Sequence, residues 1–98
     1  MEVRFAATVT GAPHRFFGTA TRSEHESFPV RTDAGAHLEI VANLSLSPWL
    51  EVRPGDRVVV DGELVRPPGR EALVHWTHHD PAGRHAAGFI EWNGRRYA

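Results

Sequence analysis

Arg53-Pro54-Gly55-Asp56-Arg57-Val58-Val59-Val60-Asp61-Gly62-Glu63-Leu64-Val65 carries the clearest structural signal in the chain. Pro-Gly-Asp is turn chemistry: proline presets φ, glycine accepts positive φ, and aspartate bonds to nearby backbone N–H groups. The valine-rich run Arg57 to Val65 then reads as a strand, stopped by Pro67-Pro68-Gly69. Toward the N-terminus, Val3, Phe5, Ala7 and Val9 alternate with Glu2, Arg4, Ala6 and Thr8, the period of a half-buried strand. Gly11-Ala12-Pro13 ends that run.

Between these strands the pattern predicts three more elements and one helix. Arg15 to Thr21 extends the sheet, and Ser23-Glu24-His25-Glu26 reads as a polar loop. Phe28 to Thr32 is a short strand that Pro29 demotes toward an edge, and His37 to Ala42 follows the turn Asp33-Ala34-Gly35. Ser45 to Val52 reads as a short helix, capped by Ser45 or Ser47 with Pro48 in its first turn. Glu71 to His79 supplies a further strand, and Asn93-Gly94 marks a C-terminal hairpin over Gly88 to Tyr97. This order predicts one all-β domain over residues 1–98, a small five-stranded barrel of the oligonucleotide/oligosaccharide-binding (OB) type. A short helix is expected between its third and fourth strands, with an added C-terminal β-hairpin.

Composition narrows the chemistry. Ninety-eight residues hold one modest core, and 41% hydrophobic with 23% charged residues is ordinary for a globular chain. No apolar run approaches membrane-spanning length and the N-terminus shows no leader pattern, so the expected address is cytoplasmic, with no membrane partner. The absence of cysteine removes disulfides, thiolate nucleophiles and Cys-based zinc sites. Eleven arginines and no lysine oppose twelve acids for a net charge of −1, which argues against a large nucleic-acid footprint. The anomaly is seven histidines, four of them between positions 75 and 85.

That segment runs Val74-His75-Trp76-Thr77-His78-His79-Asp80-Pro81-Ala82-Gly83-Arg84-His85. Neighbouring strand residues face opposite ways, so His78 and His79 cannot share one ion on a regular strand. Asp80-Pro81-Ala82-Gly83 has type I turn preferences. Closing a hairpin there would set His78 opposite His85, Trp76 opposite Ala87 and Val74 opposite Phe89. An apolar face would then end in two imidazoles suited to share a divalent metal such as zinc, a proton or an anion. Trp76 is expected mainly in the core, and Asp80 mainly as a turn former. Trp92 with Arg95, Arg96 and Tyr97 is a second place for an anion or a stacked base.

The block His75 to Pro81, with His85, Gly88, Ile90, Gly94 and Tyr97, resembles the C-terminal signature of a bacterial family, domain-of-unknown-function family 3465. Asn43-Leu44 with Leu46 and Pro48, Gly55-Asp56 with Val58, Gly62 and Glu63, and His25-Glu26 extend the resemblance over residues 18–97. The chain departs from that pattern at Ala42, where a histidine is expected, at Ser45, where an aspartate is, and at Trp49, where a basic residue is usual. His25-Glu26 stands in the place of a His-Gln pair.

Three functions follow as expectations. The first is a small binding module whose histidine-rich rim takes a small anionic ligand or short single-stranded nucleic acid, with Trp76, His75, His79, Trp92 and Arg95 as binding residues. The second is a metal-assisted or acid–base hydrolase of phosphodiesters or esters, using His78, His85, His25 and Asp80. The third is a structural domain that forms homodimers through exposed strand edges.

Overall fold

The computed structural model describes residues 1–98, and its regular elements are all strands. In chain order they are β1 (Glu2–Val9), β2 (His14–Gly18), β3 (Ser23–Thr32), β4 (His37–Asn43), β5 (Arg57–Val65), β6 (Leu73–His75), β7 (Phe89–Trp92) and β8 (Arg95–Tyr97). Five of them close on themselves in the order β1-β3-β4-β6-β5 and back to β1. All barrel contacts are antiparallel except β4 with β6, where Ile40 lies beside Val74 in parallel. This closed five-strand topology is that of the expected OB-like barrel. No helix is long and apolar enough to cross a membrane.

Alternation drives closure. Val58 and Val60 on β5, Phe28 and Val30 on β3, Leu38, Ile40 and Ala42 on β4, and Ala7 and Val9 on β1 fill the interior with Val74 and Ile90. Each fully buried valine or isoleucine contributes about 1.5–3 kcal/mol of transfer free energy, so a shifted register would turn that set outward at large cost. Arg53 to Asp56 forms the anticipated turn: the Asp56 N–H donates to the Arg53 carbonyl at 3.0 Å, and Asp56 Oδ2 accepts the Arg53 N–H at 3.0 Å. Beyond the barrel, Asn93 and Gly94 adopt φ of 53° and 78° and join β7 to β8, as the Asn-Gly pair predicts. β7 lines the edge of β5 from Val58 to Asp61, and β6 takes the same edge from Glu63 to Val65.

Two expectations about strands are corrected. Residues 23–26 are not a loop but the start of the long strand β3, and Pro29 lies in its interior. β1 and β2 act as one bent companion to β3: Val9 faces Val30 and His14 faces Ser27, so residues 10–13 span a gap that residues 28–29 alone span on β3. Residues 10–13 bulge at this break. The Pro29 carbonyl accepts the Thr10 N–H there at 2.9 Å, so the edge on which proline lacks a donor faces the bulge.

The expected helix over Ser45 to Val52 is absent. Asn43, two residues before the first proposed cap, closes a single turn instead. Its Oδ1 accepts the Ser45 N–H at 2.9 Å, and its carbonyl accepts the Leu46 and Ser47 N–H groups at 3.0 Å. Pro48 brings no donor, and the Leu50 N–H is taken at 2.8 Å by Glu26 Oε1 from inside the barrel. The segment therefore runs on extended, with Leu50 and Val52 packed into the core cluster.

Candidate functional site

The histidine segment leaves the sheet earlier than the sequence suggests. β6 ends at His75, and β7 pairs with β5, not with β6. The hairpin that would set His78 opposite His85 therefore does not form: hydrogen bonding of Phe89 to Trp92 along β5 is what residues 89–92 satisfy instead. Trp76 takes a positive φ of 56°, which breaks the strand's alternation. Its half-buried indole lies beside the His75 ring at 5.6 Å, not in the core. Thr77 fills the interior place, fully buried, with Oγ1 donating to the Val41 carbonyl at 3.0 Å.

Three imidazoles surround that indole. His85 stacks on its face with centroids 3.9 Å apart and planes 18° from parallel, and His78 meets it edge-on at 5.9 Å. His78 is 2% exposed; its Nδ1 donates to the His79 carbonyl at 2.8 Å, and Nε2 carries no hydrogen bond within the chain. Burial holds the His78 and His75 rings below the usual imidazole range, which favours their neutral forms. His25, His75 and His78, with Thr21, Val41, Asn43 and Trp76, line one small cavity of about 40 Å³. His25 hydrogen bonds the Ser23 carbonyl through Nδ1 at 3.0 Å and Thr21 Oγ1 through Nε2 at 3.4 Å.

Strand order explains this gathering. β2, β3, β4 and β6 are consecutive neighbours in the sheet, and His25, Val41, Asn43 and His75 occupy their outward positions. Phe16 on β2 continues the row, stacked on His25 at 5.1 Å with planes 13° apart and still 39% exposed. The result is a band of rings across the outside of the barrel: Phe16, His25, His75, Trp76, His78 and His85. Farther along the same face lie the exposed cross-strand partners Arg31 and His37.

Asp80 forms a turn, as expected. Its carboxylate accepts the Ala82, Arg84 and His85 backbone N–H groups at 2.9, 2.8 and 2.9 Å. Burial pushes its pKa up, but those three donors outweigh it and hold the group below the usual carboxylate range. A carboxylate so occupied is no base for a substrate. No group of three His, Asp or Glu side chains converges with metal-ligand geometry, and the strand pairing that suggested His78 with His85 as ligands is missing. The four candidate catalytic residues are thus split, with His25 and His78 at the cavity, His85 on the indole and Asp80 holding the turn.

The expected binding residues divide as well. His75 and Trp76 belong to the ring band, whereas the exposed His79 contributes its carbonyl to His78. Trp92 and Arg95 line a separate open groove of about 480 Å³ with Arg57, Val59 and Arg96. Charge there is largely spent internally. Arg57 holds Asp33 through two bonds of 2.6 and 2.8 Å, Arg96 holds Glu91, and the Trp92 Nε1–H donates to Asp56 at 2.9 Å.

Two residues of interest escaped sequence reading. Phe16 needed the β2–β3 register, which was hidden while residues 23–26 read as a loop. Glu26 is fully buried on the interior face opposite Ala42, with Oε1 bonded to the Leu50 N–H and Oε2 without any partner. Burial raises its carboxyl to about 7 against the relief supplied by Leu50.

Comparison with curated proteins and with solved structures found no match. The family described as "Protein of unknown function (DUF3465)" matches residues 14–98, which takes in β2 to β8 and every residue of the ring band. On that match the chain belongs to the DUF3465 family.

Proposed function

We propose that this barrel is a binding module for short single-stranded nucleic acid, and that the ring band outside β2, β3, β4 and β6 is its binding face. The observation that carries this reading is the gathering of Phe16, His25 and His75 from β2, β3 and β6 beside Trp76 and His85, with two stacked pairs among them. Every nucleobase offers a flat face, and stacking on an aromatic ring is worth about 1–3 kcal/mol per base. The second and third barrel strands, here β3 and β4, are the usual oligonucleotide face of OB barrels; this is support by fold analogy.

The net charge of −1 sets the character of the interaction. Along that face lie Arg31 and His37, with the Glu39 carboxylate between them and the rings, so few phosphates are neutralised and stacking supplies most of the affinity. Fluorescence anisotropy of a labelled oligothymidylate, titrated at low salt, tests the reading. Saturable binding that weakens about tenfold in Trp76→Ala is expected. Affinity no better than that of a neutral control protein would overturn it. The hydrolase alternative loses its support, because Asp80 is occupied by backbone donors and the expected histidine pairing does not form.

A further inference from the structure

We infer that His85 is a built-in lid on a nucleobase seat formed by the face of Trp76. The inference rests on the proposed binding face and specifies how one subsite of it is kept closed. Trp76 is the residue whose positive φ turns its indole out of the barrel, and the flat face it would offer a ligand is covered by the His85 ring at 3.9 Å.

The cover belongs to a self-contained loop. Residues 79–87 lie between His78 and Gly88, whose N–H donates to the His78 carbonyl at 3.0 Å and pinches the loop at its neck. Apart from Asp80, the loop residues are exposed, and Asp80 ties the loop to itself through the Ala82, Arg84 and His85 N–H groups. Such a loop of nine residues with joined ends can tilt as a unit without breaking barrel hydrogen bonds. The neck itself is fixed. A Cβ on Gly88 would lie 2.3 Å from the Trp76 carbonyl oxygen and 2.4 Å from that of Asp61, so the backbones pack there with no room to spare.

Competition explains what the lid does. An imidazole is a small ring and a nucleobase a larger one, so a base entering on Trp76 gains more stacked area than the departing His85 loses. The stacked His85 lowers apparent affinity by the fraction of time the seat is closed, and it covers the indole when no ligand is present.

Imidazole proton resonances and oligothymidylate titration test this together. In the free protein, the His85 ring protons should be shifted upfield by the indole beneath them, and saturation with oligothymidylate should return them to ordinary positions. His85→Ala should bind oligothymidylate about three- to tenfold more tightly than wild type. Binding by wild type with His85 still upfield at saturation, or with no gain in His85→Ala, overturns the lid and leaves the binding face standing. Binding by His85→Ala alone supports a lid that is closed most of the time. No binding by either protein overturns the seat together with the proposed function.

Discussion

Glu26 shows how much one atom can set a protein's response to pH. Its Oε2 is buried without a partner, and its pKa stands near 7 instead of 4.5 because burial penalises the charged form. A folded-state pKa above the unfolded value means that the folded protein binds the extra proton. Its contribution is therefore fully present below pH 4.5 and lost as pH rises through about 7. Glu26→Gln keeps an oxygen for the Leu50 N–H and removes the charge. Thermal unfolding should show wild type losing stability between about pH 5 and pH 8 relative to this variant, by at most about 3 kcal/mol. Parallel pH profiles would contradict the assignment. Gly88 makes a second residue-scale prediction. Alanine there would press on two backbone carbonyl oxygens, so Gly88→Ala should cost about 3 kcal/mol or more by chemical denaturation. Neither property is legible in sequence: Glu26 reads as part of a polar loop, and Gly88 as the start of a hairpin, until neighbouring strands define what each of them packs against.

Elements divide according to where their instructions lie. β1, β5 and the β7–β8 hairpin are legible because alternation and the Asn-Gly turn are local signals. The 45–52 segment reads as a helix because Ser and Pro stand where caps should be. What unmakes the helix is distant, a Glu26 carboxylate holding the Leu50 N–H while Asn43 closes one turn. Asn43→Ala should loosen this crossover at a cost of about 1 kcal/mol, read as faster hydrogen exchange at Ser45 and Leu46 with β5 unchanged. Equal acceleration throughout the barrel would show that Asn43 matters to the whole fold. The 79–87 loop is a mixed case. Its turn is legible at Asp80, but its destination is not, since β5 has an open edge that residues 89–92 take in preference to β6. Asp80→Ala should release the loop to proteolysis near Arg84 while the thermal midpoint shifts little, because the lost bonds are solvent-facing.

The whole molecule is a closed barrel with a ring-lined outer face. The barrel type is recoverable from strand order; the face is not, because it joins residues from β2 to the 79–87 loop through pairings that sequence spacing does not disclose. A face that works by stacking should show shallow salt dependence. The slope of log affinity against log salt should lie near −1, equivalent to one or two phosphate contacts, whereas a steep slope would indicate an electrostatic groove elsewhere. The most direct measurement is amide chemical-shift mapping during titration with oligothymidylate. The account predicts the largest changes at Phe16, His25, Asn43, His75 and Trp76, with the Trp92–Arg95 turn quiet. Changes concentrated at Trp92 and Arg95, or none at saturating ligand, would contradict it.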